Sequence, residues 1–111
     1  MPIPNTEGLT RIVAGQDVLW PVEINAAGTL NVLEAARNAG EDPIFIFAST
    51  NKVYGAMEDA EAVELASRYE LPGYPDGVPE SRPLDFHSPY GCSKGAADQY
   101  VRDYARIYGL R

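Results

Sequence analysis

The sequence predicts an α/β fold, and three observations predict it. Between Ala26 and Ala39 the apolar side chains recur at helical spacing; Ile44-Phe45-Ile46-Phe47-Ala48 then forms an unbroken apolar run; and Ser88-Pro89 opens a long helical pattern that stops at Gly109. A continuous rather than alternating apolar run is the pattern of a strand buried on both faces, and a helix followed at once by such a strand is the signature of α/β layering.

Taken in order, residues 1–21 resist assignment, because Pro2, Pro4, Gly8, Gly15 and Pro21 break every short apolar piece, so the readable domain spans 22–111. A helix over 26–39 follows from the spacing of Leu30, Leu33 and Ala36 and from the helix formers Ala27, Ala35, Ala36 and Ala39, with Gly40 suited to a left-handed C-terminal position. Pro43 precedes the strand. Ala56–Tyr69, acidic and rich in alanine, reads as a surface helix. Leu71–Pro89 holds five of the nine prolines and reads either as a lid or binding loop or as a solvated linker. In the last helix Ser88 serves as N-cap and Pro89 as first residue; the inward stripe reads Tyr90, Lys94, Ala97, Val101, Tyr104 and Tyr108, and Asp98 with Arg102 forms an i,i+4 pair on the outer face.

Composition removes several function classes. At 111 residues the chain makes one modest domain, and 45% hydrophobic with 23% charged residues is ordinary globular usage. Its longest apolar run is far short of the ~20 residues that cross a bilayer, and the start of the chain lacks the pattern of a targeting signal. One cysteine, Cys92, and one histidine, His87, allow neither an internal disulfide nor a Cys/His metal cluster. A net charge of −7 disfavours a phosphate-backbone partner, and it is concentrated: residues 58–85 carry eight acidic side chains against Arg68 and Arg82. The expectation is a soluble cytoplasmic protein with no nucleic-acid, membrane or metal partner.

Lys94 stands out, since an ammonium in an apolar stripe is costly without a partner. Tyr90 lies one helical turn away on the same face, and a neighbouring cation favours the phenolate that a general base requires. Ser49-Thr50 stands at the end of the buried strand, the edge of an open α/β sheet where ligands bind. A hydroxyl there can bond the same substrate oxygen that Tyr90 deprotonates. Each signal also has a plainer meaning: Lys94 snorkelling outward, Tyr90 as packing, Ser49-Thr50 as a turn.

Together the residues carry a resemblance. Asn25-Ala26-Ala27-Gly28-Thr29-Leu30-Asn31-Val32-Leu33-Glu34-Ala35, Phe47-Ala48-Ser49-Thr50-Asn51-Lys52-Val53-Tyr54-Gly55 and Ser88-Pro89-Tyr90-Gly91-Cys92-Ser93-Lys94 resemble, in order and register, the extended short-chain dehydrogenase/reductase family of NAD-dependent nucleotide-sugar epimerases and dehydratases. The resemblance implies a Rossmann-like doubly wound parallel sheet, of which this chain would be the middle portion. Within the family the chain looks most like the CDP-paratose (CDP-tyvelose) 2-epimerase branch. Asn51-Lys52 stand where the dehydratases carry an Asp-Glu pair, and the forty positions from Thr50 to Tyr90 exceed the spacing usual in 4-epimerases. By that resemblance Tyr90 is the base, Lys94 its cationic neighbour and a contact of the nicotinamide ribose, and Thr50 the hydroxyl that orients substrate. Asn25 and Ser49 join Tyr90 and Lys94 at the cofactor, Asn51, Lys52 and His87 join Thr50 at the nucleotide sugar, and the Tyr90–Lys94 helix, with Tyr100 outward, forms a homodimer.

One element of the family pattern is missing. A dinucleotide's pyrophosphate needs backbone N–H groups at a Gly-x-Gly-x-x-Gly turn, and none of the ten glycines has that spacing. Two expectations therefore stand: the catalytic middle of an NAD-dependent epimerase, or a truncated or partner-dependent remnant whose isolated chain is inactive. A 4-epimerase or dehydratase of the same family is the further alternative.

Overall fold

The computed structural model describes residues 19–111. Its elements are α1 (Leu19–Pro21), a π-helical segment (Val22–Ala27), α2 (Gly28–Asn38), a 3-10 turn (Asn51–Tyr54), β1 (Val63–Glu64), β2 (Tyr69–Glu70) and α3 (Pro89–Tyr108). The unassigned segment 1–21 lies outside the described residues except for α1.

The first helix begins earlier than its sequence pattern suggests. Residues 19–38 are one helical rod, whose middle is widened by a π turn in which the Gly28 N–H bonds the Glu23 carbonyl, five residues back. Ala39 is the C-cap, and Gly40 follows at φ 73°, the left-handed position that glycine occupies without strain. The α3 helix has the expected bounds: the Ser88 hydroxyl accepts the Gly91 N–H, Pro89 opens the first turn, and Gly109 closes it at φ 68°.

Two polar links set the helices side by side. The Asn25 amide donates to the Ser93 hydroxyl at 3.0 Å, and the Tyr104 hydroxyl donates to the Glu34 carboxylate. Both partners advance along their chains in the same sense, so α2 and α3 run parallel. The face that α3 buries is made of Gly91, Ser93, Gly95, Ala97 and Tyr104. This corrects the predicted stripe: Tyr90, Lys94 and Val101 are half-buried and Tyr108 is exposed. Close approach demands small side chains here. A methyl added at Gly95 would stand 2.2 Å from the Phe86 ring, and one at Gly91 would stand 2.8 Å from the Lys52 carbonyl oxygen. Leu33, Ala97, Val53 and Tyr104 form the buried apolar core.

Three further expectations are corrected. Residues 44–48 are extended but not buried on both faces: Ile44 is 68% and Ile46 89% exposed, whereas Phe45 and Phe47 turn inward. No described strand lies beside the run, and among the described residues its one backbone partner is Arg111, whose carbonyl accepts the Phe45 N–H at 2.6 Å. The segment 56–69 is not a helix. It forms turns and the two-residue antiparallel ladder of β1 and β2, with Val63 opposite Glu70 and Glu64 opposite Tyr69. Glu58, Glu61 and Glu64 would stack like charges at i,i+3 in a helix, and Asp59 is drawn away to Arg82. The Asp98–Arg102 pair gives way to a bond between Gln99 and Asp98 and an ion pair between Arg106 and Asp103.

The Glu34–Tyr104 link has a pH signature. Bonds from Arg37 and then from the Tyr104 hydroxyl hold the Glu34 carboxyl down from 4.5 to about 2, and the Glu34 carboxylate pushes Tyr104 up from 10.0 to about 12. Glu34 is depressed in the fold, so its contribution is complete above 4.5 and is lost as pH falls toward about 2. Tyr104 is raised, so its contribution is complete below 10.0 and is lost as pH rises through about 12. We predict that urea midpoints measured across pH show both losses. Tyr104→Phe should remove the alkaline loss and shrink the acid one; a difference profile with neither change would refute the link.

Candidate active site

The extended run delivers Ser49-Thr50 to the edge of the helical layer. Thr50 keeps extended geometry (φ −147°, ψ 151°) and caps the 3-10 turn, its hydroxyl oxygen accepting the Lys52 N–H at 3.3 Å. Buried Val53 anchors that turn, and its carbonyl accepts the Asp85 N–H at 3.0 Å. Gly55 ends the turn at φ 64° and ψ −140°, against Asp85 and His87.

From the other side, α3 supplies Tyr90 and Lys94. The Lys94 ammonium donates to the Ala48 carbonyl at 2.7 Å and sits 4.5 Å above the centre of the Phe47 ring. A charge-assisted bond and a cation–π contact together explain how a lysine is tolerated there. They also fasten the helix to the residue just before Ser49-Thr50.

The predicted site residues fall into three groups. Lys52, His87 and Tyr90 line one hollow of about 270 Å³ with Gly55, Ala56 and Ser88. Ser49, Thr50 and Asn51 line a larger one of about 970 Å³, whose far wall is Glu80 to Leu84 and whose floor includes Asp98, Gln99 and Arg102 of α3. Asn25 is engaged on the inner side of α3, with Ser93. The imidazole of His87 is 3.1 Å from the Asp85 carboxylate.

Two residues escaped the sequence reading. Ser93 is 3% exposed and donates to the Tyr90 carbonyl at 2.8 Å while accepting from Asn25. Its signal is a hydroxyl three residues after Tyr90, flanked by glycines that admit the Lys52 carbonyl and the Phe86 ring. Arg82 is the other, the single Arg or Lys of the Leu71–Pro89 stretch. Its guanidinium pairs with both oxygens of Asp59 and bonds the Tyr74 hydroxyl, folding the acidic excursion back as a wall. That pairing raises the Arg82 pKa and lowers that of Asp59. Among the described residues no group of His, Cys, Asp and Glu forms a metal site, and no helix is long and apolar enough to cross a membrane.

Fold and site together define a class of α/β chain in which an extended run ending in two hydroxyls is tied by Lys94 to a helix with Tyr and Lys one turn apart, with Thr50 and Tyr90 in adjoining but separate hollows. Residues 17–111 match the family model described as GDP-mannose 4,6 dehydratase, and the chain belongs to that family, which its relatives show to include nucleotide-sugar epimerases and dehydratases. CDP-paratose 2-epimerase of Salmonella typhi is 58% identical over 88 residues, 79% of this chain and 26% of that protein. dTDP-glucose 4,6-dehydratase of Mycobacterium tuberculosis is 36% identical over 87 residues, 78% of this chain and 22% of that protein. A crystal structure of UDP-galactose 4-epimerase superposes with a TM-score of 0.65 at 29% identity, over 89% of this chain and 28% of that one. The chain thus spans about a quarter of the length of these relatives.

Proposed function

We propose that this chain is the catalytic middle portion of an NAD-dependent nucleotide-sugar epimerase of the CDP-paratose 2-epimerase kind, contributing helix, strand and helix to a doubly wound parallel sheet. The observation that carries the reading is the 2.7 Å bond from Lys94 to the Ala48 carbonyl, which ties the Tyr90–Lys94 turn to the start of Ser49-Thr50. The 58% identity to a 2-epimerase, and Asn51-Lys52 in place of a dehydratase acid pair, favour oxidation and re-reduction over dehydration.

In this reading the Tyr90 phenolic oxygen accepts the proton of a sugar hydroxyl as its carbon is oxidised, and returns it when the opposite face is reduced. Thr50, whose hydroxyl oxygen accepts the Lys52 N–H and whose proton goes to the Asn51 side-chain oxygen at 3.5 Å, turns that proton to the same substrate oxygen and holds it for transfer. Lys94 keeps a positive charge one turn from the phenol. Asn51, Lys52 and His87 contact the nucleotide sugar.

The donor set fits the ribose end of a nicotinamide cofactor. Lys94 has two N–H donors beyond the one spent on Ala48, the Asn25 amide has one beyond that spent on Ser93, and Ser49 adds a hydroxyl. Bound there, the nicotinamide supplies a hydride acceptor that is regenerated in each turnover. Among the described residues no glycine-rich turn cradles a pyrophosphate. The outer side of α3, where Tyr100 and Ile107 are exposed, is where a second copy would dock.

The test is a graft in which this chain's residues replace the aligned 88-residue segment of the Salmonella typhi CDP-paratose 2-epimerase. The graft should fold, bind NAD and epimerise CDP-paratose. A graft that folds and binds NAD without turnover overturns the proposal.

A further inference from the structure

We infer that Ser93 is a positioning residue: with Asn25 it bolts the first turn of α3, and Tyr90 on it, to the neighbouring π-helical segment. The inference rests on the reading of Tyr90 as the base.

Tyr90 is the second residue of α3, in the part of a helix that frays most readily because its first N–H groups have no intrahelical acceptor. Ser88 steadies this turn from outside, accepting the Gly91 N–H. Ser93 steadies it from within. Its hydroxyl proton goes to the Tyr90 carbonyl at 2.8 Å, and its lone pair takes an Asn25 N–H at 3.0 Å across 68 positions of chain. The direction of the relay follows from chemistry. An amide N–H can only donate, so the hydroxyl must accept from Asn25 and is left to donate to Tyr90. Ser93 is the buried polar residue of the described core, which makes each bond costly to lose. The π turn matters as well, because Asn25 lies inside it, in a register that a regular helix would not present.

Asn25→Asp tests the relay with almost no change of shape. A carboxylate cannot donate, so the Ser93 hydroxyl must turn toward it and abandon the Tyr90 carbonyl. In the full 111-residue chain, hydrogen exchange of the Gly91 and Cys92 amides should speed by about tenfold in both Asn25→Asp and Ser93→Ala, and the double variant should be no faster than either single one. Ser93→Thr, which keeps the hydroxyl, should restore protection. In the graft, Ser93→Ala should lower kcat by about tenfold with KM unchanged, and Ser93→Thr should recover it. Strictly additive exchange effects, or full kcat in Ser93→Ala, would overturn the inference. Turnover retained by Tyr90→Phe would instead remove the base assignment on which it stands.

Discussion

In the grafted epimerase, Tyr90→Phe should lower kcat by about a hundredfold to ten-thousandfold, the range that a positioned general base contributes. The expected loss is nearly pure chemistry. The Tyr90 ring half-lines its hollow and its hydroxyl bonds no described residue, so a phenyl ring keeps the packing and removes only the oxygen. KM for the nucleotide sugar and NAD affinity should therefore stay close to those of the graft, measured by initial rates and calorimetry. Retained turnover would show that another group takes the proton.

The largest structural effect is expected at Gly55. Its backbone combines φ 64° with ψ −140°, and an added Cβ would lie 2.1 Å from the Asp85 carbonyl oxygen and 2.6 Å from the His87 ring. Neither obstacle is the loose end of a long side chain; one is backbone. Gly55→Ala must force apart the turn that follows Thr50 and the stretch Asp85–His87, at a cost of about 2–4 kcal/mol from backbone strain and overpacking. With a urea slope of about 1–3 kcal/mol per molar, the midpoint of the 111-residue chain should fall by roughly 1 M or more. Gly73→Ala, where nothing lies within 4 Å and φ is not left-handed, should change little and serves as the control. Equal midpoints for the two variants would refute this account of Gly55.

What was legible in the sequence was local. Ser88, Pro89 and Gly109 bound α3 because capping is chemistry of adjacent residues, and Gly40 marks a helix end for the same reason. What was not legible depended on neighbours distant in the chain. The inward stripe of α3 is read from its large side chains, yet the Lys52 carbonyl and the Phe86 ring come so close to Gly91 and Gly95 that these glycines, with Ser93 and Ala97, are buried. The 56–69 helix was read from alanine content, which a run of like charges and the pull of Arg82 outweigh. In the candidate site, Tyr90, Lys94 and Thr50 are the residues that type and spacing single out. Ser93 could not, because a serine acquires a role there only through Asn25, which lies 68 positions earlier.

The exposed run Ile44–Ala48 bears on how the chain behaves at high concentration. Among the described residues only Arg111 and Lys94 engage the ladder groups of these five apolar residues, and such an edge is a template on which a strand from another molecule can add. Glu41, Asp42 and Pro43 stand directly ahead of it as gatekeepers: two carboxylates, and a residue with no N–H to offer. Arg111 pairs with Asp42 at 3.0 Å, and its carbonyl takes the Phe45 N–H, so the first rung is already occupied. The acidic stretch 58–85, which carries most of the net charge of −7, adds repulsion between whole molecules. Charge and a blocked rung at one end of this most apolar segment both oppose such addition.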